Sequence, residues 1–380
     1  MDFNNKTYRT PGQLIAGLLE ARGWTRRSLA IVLEMHETAV SKYVADKRDV
    51  DAKMALLLEE VFGVDAILFL TVQKEYDLAR ARLIASADPA RAARALLYGD
   101  LPITEMIRRG WIAAEGIRDT KKVEKELVRF FGADRVENIE ILPHAAKKSA
   151  ANLSATPVQI AWLYRVKQIA SEMLTCAYSP DSTRIALTRL RSLMTGSDGV
   201  SKVPRVLAEC GIRFVLVEAL AGSKIDGACF WLNEKSPVIG MTLRFDRIDN
   251  FWFVLRHEIE HVLQGHGKAA AMLDIDMESE SVESGIADEE RIANEAAQDF
   301  CVPSSQLDAF IARKAPFFSE RDLIGFARIL KVHPGIVAGQ LQRRTKRYDR
   351  FRDHLVKVRE IIAPNAIKDG WGDIAPVENQ

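Results

Sequence analysis

Through most of the chain apolar residues recur every three to four positions, the spacing of helices with one buried side. Leu14, Ile15, Leu18 and Leu19 predict a first helix, begun by Thr10 and Pro11 and ended by Gly23. Thr25 caps a short second helix over 26–33, and Glu34-Met35-His36 connect it tightly to a third over 37–44. A fourth helix covers 51–62. Asp88-Pro89 marks a boundary; 90–146 reads as helical and charged, and 147–156 as a small, polar linker. Ile160, Leu163, Val166 and Ile169 then predict a strongly amphipathic helix. After a short helix over 203–210 the period changes, with β-type runs at 212–217, 227–232 and 237–243. Residues 251–264 return to helix, with Trp252, Leu255, Ile259 and Val262 on one side and Gly265 and Gly267 as the stop. Residues 273–290 are rich in acids and serine and predict an exposed loop, before a helix that ends ahead of Pro303. Ser319 caps another over 320–330, a last one spans 336–344, and the chain after Ala363 reads as frayed. The pattern predicts an α+β chain, mostly α, with one small sheet. Its divisions are 1–85, a connector and linker at 86–156, a second domain at 157–345 and a tail at 346–380.

Chemistry concentrates in the helix after the third β-type run. His257-Glu258-Ile259-Glu260-His261 is an H-E-x-x-H motif. Residues four apart on a helix lie about 40° apart around its axis, so both imidazoles leave one face. Two neutral imidazoles at that spacing suit zinc. Glu258, one position on, is placed to take a proton from water at the open position of the metal. A third ligand is needed. On the helix that follows the acidic segment, Glu290, Asn294, Ala297 and Cys301 share one face. The alanine permits close approach of two helices, and Glu290 in the first turn reaches the metal. Glu289 and Glu295 point elsewhere. His266 lies off the ligand stripe, either as an oxyanion stabiliser or as a surface or capping residue.

His257-Glu258-x-x-His261, Glu290-x-x-Ala293-Asn294 and the closing Pro303 together resemble the ImmA/IrrE family of zinc metallopeptidases over about 204–343. The resemblance implies a zincin-like domain in which His257, His261 and Glu290 bind Zn2+ and Glu258 is the catalytic general base. Members cleave repressor proteins, or sit beside them in mobile elements and stress regulons. One departure is Glu260, where the family usually has a small residue. The third β-type run, 238–243, is expected at a sheet edge, open to an extended peptide. The acidic segment is expected either to gate that cleft or to serve as a plain connector.

The first four helices form a helix-turn-helix arrangement. Thr38, Ser41 and Lys42 face outward on the third helix, where short polar side chains and a lysine reach base edges. Arg26, Arg27, Lys47 and Arg48 flank it for phosphate contacts. Residues 11–82 resemble a HigA-type antitoxin of the Xre/Cro repressor class. They depart from it at the turn, with Glu34 in place of the usual glycine and His36 in place of the usual cap. The resemblance implies a DNA operator as partner and a homodimer.

Composition changes this picture little. A net charge of +1 over 380 residues gives no global basic field, so DNA contact rests on a local patch. The four cysteines form no C-x-x-C pair and the start is polar, so a cytoplasmic protein with no membrane span is expected. Two functions fit. One is a DNA-binding regulator with a zinc endopeptidase domain that cleaves a repressor or partner protein. The other is an antitoxin or repressor whose zincin-like domain only senses or binds a partner, such as a toxin encoded nearby.

Overall fold

The computed structural model describes residues 2–3, 6–84, 90–139, 155–275 and 288–377. Residues 147–154 of the linker read at 147–156, and the acidic residues 276–287 with the gating expectation placed on them, lie outside the described residues. The chain divides into two compact units, Met1–Pro89 and Ala90–Gln380. Among the described residues no helix is long and apolar enough to cross a membrane.

The first unit opens with a small hairpin, β1 (Asp2–Phe3) and β2 (Lys6–Thr7), and continues as helices α1 (Pro11–Arg22), α2 (Arg26–Val32), α3 (Glu37–Val44), α4 (Ala52–Phe62) and α5 (Ala66–Ile84). The caps read from the sequence are in place. Thr10 and Thr25 accept hydrogen bonds from Gln13 N and Ser28 N, and Gly23 ends α1 in the left-handed region. Leu14, Ile15, Leu29, Val40, Leu58 and Phe69 fill one core, each burial contributing about 1.5–3 kcal/mol. The α2–α3 turn forms without a glycine. Glu34 itself takes φ 51°, and His36 makes no side-chain cap bond. Met35 N donating to Ala30 O (2.9 Å) closes the end of α2. The N-terminus of α1 is pinned to the end of α3. Asp46 Oδ1 accepts from Gly12 N at 2.7 Å, and a Cβ on Gly12 would fall 2.4 Å from Val44 O.

The second unit is built on a five-stranded sheet of order β6-β4-β5-β3-β7. The strands are β3 (Arg213–Val217), β4 (Ile225–Trp231), β5 (Pro237–Met241), β6 (Met272–Ile275) and β7 (Ile367–Asp369). β3 runs parallel to both β5 and β7; β4 runs antiparallel to β5 and β6. The helices are α6 (Ala90–Asp100), α7 (Ile103–Arg108), α8 (Thr120–Phe131), α9 (Pro157–Ser171), α10 (Pro180–Leu193), α11 (Val203–Glu209), α12 (Ile248–Gln264), α13 (Asp288–Cys301), α14 (Ser304–Lys314), α15 (Glu320–Leu330), α16 (Pro334–Thr345) and α17 (Arg359–Ile362). Alternation along β3 sends Phe214 and Leu216 to a core shared with α12, α15 and α16, and Val215 and Val217 to one shared with α6, α8 and α9. The sheet is therefore covered by helices on both faces.

Four expectations change. β5 is an interior strand, so 238–243 offers no edge to a peptide; β4 and β3 occupy both its sides. The predicted loop at 273–290 begins as edge strand β6, whose four residues were too few to show a period. The segment after Ala363 is not frayed along its length, because β7 closes the other end of the sheet. The helices after Asp88-Pro89 likewise belong to the sheet's own unit.

β7 also carries the unit's strongest buried polar anchor. Asp369 is fully buried and accepts from Trp111 Nε1 (2.6 Å), Arg165 Nε (3.0 Å) and Ala375 N (3.1 Å). It ties α9, the α7–α8 connection and the C-terminal segment to one carboxylate. Asp369→Ala would leave the Arg165 guanidinium buried without its counter-charge. The expected cost is about 3–5 kcal/mol of the unit's stability, read from the denaturant midpoint of the full chain.

Candidate metal centre and nucleic-acid interface

Helix α12 begins at Ile248, three residues before the predicted start, and ends at Gly265 in the left-handed region (φ 76°). The sequence predicts one buried side with a polar stripe; the fold buries the stripe as well. His257, Glu258 and His261 have no exposed surface. Buried imidazoles and carboxylates need compensating partners, so their surroundings determine what the motif can do.

The two imidazoles converge as the i, i+4 spacing requires. His257 Nε2 and His261 Nε2 are 2.9 Å apart. α13 packs across α12 through Ala293, Ala297 and Cys301, all without exposed surface, and this close approach brings its first turn to the histidines. Glu290 Oε2 lies 3.3 Å from His257 Nε2, and Oε1 lies 3.5 Å from His261 Nε2. Glu295 pairs with Arg291 on the surface. The expected set of His257, His261 and Glu290 is therefore brought together.

The sequence reading missed a fourth member. Asp274, on β6, is buried, and its Oδ1 lies 3.3 Å from His257 Nε2. Ligand atoms of His257, His261, Asp274 and Glu290 all fall within 4.8 Å of one another, so this group could hold a metal. The chemistry of two imidazole nitrogens and two carboxylates fits a divalent cation such as zinc. The only signal in the sequence was an acid inside the short run Met272-Leu273-Asp274-Ile275, directly ahead of an acidic stretch.

Glu258 points into the same space from the other side. A Cβ on Gly227 of β4 would fall 2.0 Å from Glu258 Oε1, so the missing side chain at 227 is what admits this carboxylate. Burial, and then the neighbouring Asp274 carboxylate, push the Glu258 carboxyl well above the usual carboxylate range. At His257 burial works in the opposite direction, but Asp274 and then Glu290 outweigh it and raise the imidazole to about 9. Burial also opposes the charge of Asp274, and His257 outweighs it to hold that carboxyl below its usual range. The carboxylates thus favour positive charge at His257 Nε2, the demand that a metal cation satisfies.

Glu260, the departure noted in the motif, takes no part in this cluster. Its Oε2 accepts from Arg256 NH2 at 2.7 Å and its Oε1 from Gln264 Nε2 at 2.6 Å, on another face of α12. His266 has a role that neither sequence alternative described. Its Nδ1 lies 2.9 Å from His261 Nδ1, the ring nitrogen facing away from the cluster, and its Nε2 lies 3.9 Å from Glu289 Oε1. With His261 offering Nε2 to a metal, its Nδ1–H donates to His266. Such outer partners fix tautomer and ring orientation. His266→Ala is expected to weaken zinc binding about 10- to 100-fold in a chelator competition, with the protein still folded.

In the first unit Thr38 and Lys42 are exposed on α3 and Ser41 is half-buried, while Val40 and Tyr43 turn into the core. Arg26, Arg27, Lys47 and Arg48 are exposed, and none of them or Lys42 forms an ion pair with a described residue. The Arg48 guanidinium sits 5.0 Å from the Tyr43 ring centroid, which holds it beside the helix. Replacing Lys42 with alanine should weaken specific DNA binding by about 1–3 kcal/mol. Replacing Arg48 should weaken binding to all sequences and reduce the salt slope by about 1, as measured by anisotropy titrations at several ionic strengths.

Comparison with known proteins agrees with this unit. Residues 15–69 match a family model described as Helix-turn-helix. No curated protein matches the chain. The N-terminal unit is a helix-turn-helix DNA-binding domain.

Proposed function

We propose that the protein is a cytoplasmic DNA-binding regulator whose second unit is a zinc-dependent endopeptidase acting on a repressor or partner protein. One observation carries the reading: His257, His261 and Glu290 converge at one buried point with the Glu258 carboxylate beside it. A zinc ion held there would supply Lewis acidity toward a peptide carbonyl and toward water. The chain's own residues do the rest. Glu258 removes a proton from the attacking water and returns it to the leaving amine. His266 holds His261 in the binding tautomer. An extended substrate pairs along the outer edge of β6, since β5 has no free side. The helix-turn-helix unit binds as a homodimer to operator half-sites about one helical turn apart.

A second reading is favoured by one feature. Asp274 places another carboxylate among the ligands, as suits a domain that binds metal and a partner, such as a toxin, without cutting. This is the antitoxin or repressor alternative. Co-expression with the product of a neighbouring gene separates the two. The peptidase reading expects cleavage by the intact protein. It expects a loss of about 10²- to 10⁴-fold in Glu258→Gln with zinc retained, and loss of both zinc and cleavage in His257→Ala. An intact partner that stays bound in every case supports the antitoxin or repressor reading.

A further inference from the structure

We propose that Asp274 is an inner ligand of the metal, so that the folded chain closes its own centre with four protein donors and must withdraw Asp274 to admit a substrate. The inference rests on the metal reading above and goes beyond it in assigning the fourth position.

The nitrogen that Asp274 faces distinguishes an inner ligand from an outer partner. A carboxylate that merely orients a ligand histidine grips the ring nitrogen pointing away from the metal. Asp274 Oδ1 lies 3.3 Å from Nε2 of His257, the same nitrogen that Glu290 approaches at 3.3 Å and His261 Nε2 at 2.9 Å. The other nitrogen, His257 Nδ1, is buried and has no hydrogen-bond partner among the described residues. Asp274 therefore shares the point of convergence with the ligands. His266 on His261 Nδ1 shows what an outer partner looks like in this same site.

Charge points the same way. Asp274, Glu258 and Glu290 bring three carboxyl groups to two imidazoles, and among the described residues Asp274 is in no ion pair with a lysine or arginine. Three carboxyl groups gathered at two imidazoles, with Asp274 buried and Glu290 partly so, are a costly arrangement that a bound dication would offset.

Local structure explains how Asp274 reaches the site. On β6, alternation turns Met272 and Asp274 toward α12, and Leu273 toward the core of α9. A register shift between Ile225 and Gly227 on β4 sets Asp274 directly opposite Gly227. The absent side chain at 227 leaves the room that Glu258 occupies. Four residues long and paired only with β4 among the described strands, β6 is the strand of this site with the least to hold it in register. Structural metal sites are closed by four protein ligands, whereas catalytic ones keep a position open. Movement of β6 converts one into the other.

The test uses the full chain loaded with zinc or cobalt(II). Wild type is compared with Asp274→Ala and, to preserve size and packing, Asp274→Asn. Metal affinity is measured by chelator competition, and the visible spectrum of the cobalt protein is followed as azide, an anion that needs an open metal position, is added. Both variants are expected to lose about 10-fold or more in affinity. Azide is expected to change the cobalt spectrum of the variants at concentrations that leave wild type unchanged. An equal azide response in wild type and variants overturns the proposal whatever the affinities, since Asp274 would then be an outer partner only. Wild type that binds no metal overturns the metal reading and this inference together. A closed centre in a chain that cleaves nothing leaves the inference standing and rejects the peptidase reading.

Discussion

The second unit gathers like charges at one largely buried point. Asp274 and the half-buried Glu290 face two buried imidazoles, with Glu258 beside them, and none of the three pairs with a lysine or arginine among the described residues. Such a cluster needs positive charge beside it, which the raised His257 imidazole or a bound cation would supply. The surrounding structure can be understood as what forces these groups together. α12 supplies three residues from one face, α13 presses in through alanines to deliver Glu290, and β6 delivers Asp274 from the sheet. A glycine at 227 keeps the middle of the site free of side chain.

The remaining polar groups on α12 are dealt with separately. Glu260 is drawn aside by Arg256 and Gln264, and burial, opposed first by Gln264 and then by Arg256, leaves its carboxyl below the usual range. It keeps its charge and satisfies it locally. An acid in the middle of the H-E-x-x-H motif therefore stays out of the cluster, because it leaves the helix on another side. His266 contacts His261 from outside the cluster rather than joining it. Specificity of role in this helix comes from angular position far more than from residue type.

In the first unit the constraint is steric. α1 can approach the end of α3 only because Gly12 has no side chain, and Asp46 then locks the contact. That contact fixes α3 with Thr38, Ser41 and Lys42 outward, and the flanking cations form no ion pair among the described residues. The turn between α2 and α3 is made by Glu34 in a left-handed conformation that glycine would adopt at less cost. Packing of Leu29 and Val40 across the turn outweighs that local preference.

Local features were legible in the sequence. Caps at Thr10, Thr25 and Ser319, the glycine stops, the helical period of α12 and the approach face of α13 all depend on residues near one another in the chain, and they appear as read. His257, Glu258, His261 and Glu290 were legible for the same reason, three of them lying within one helical stretch and the fourth in a helix's first turn. What only the tertiary structure decided is everything set by pairing across the sheet. That includes the interior place of β5, the existence of three-residue β7 and four-residue β6, and the bulge that sets Asp274 opposite Gly227. Strands that short carry too few residues for a period to emerge, and register is a property of two segments at once. The helix could be read from its own residues; the carboxylate that faces it could be found only once the strand had a neighbour.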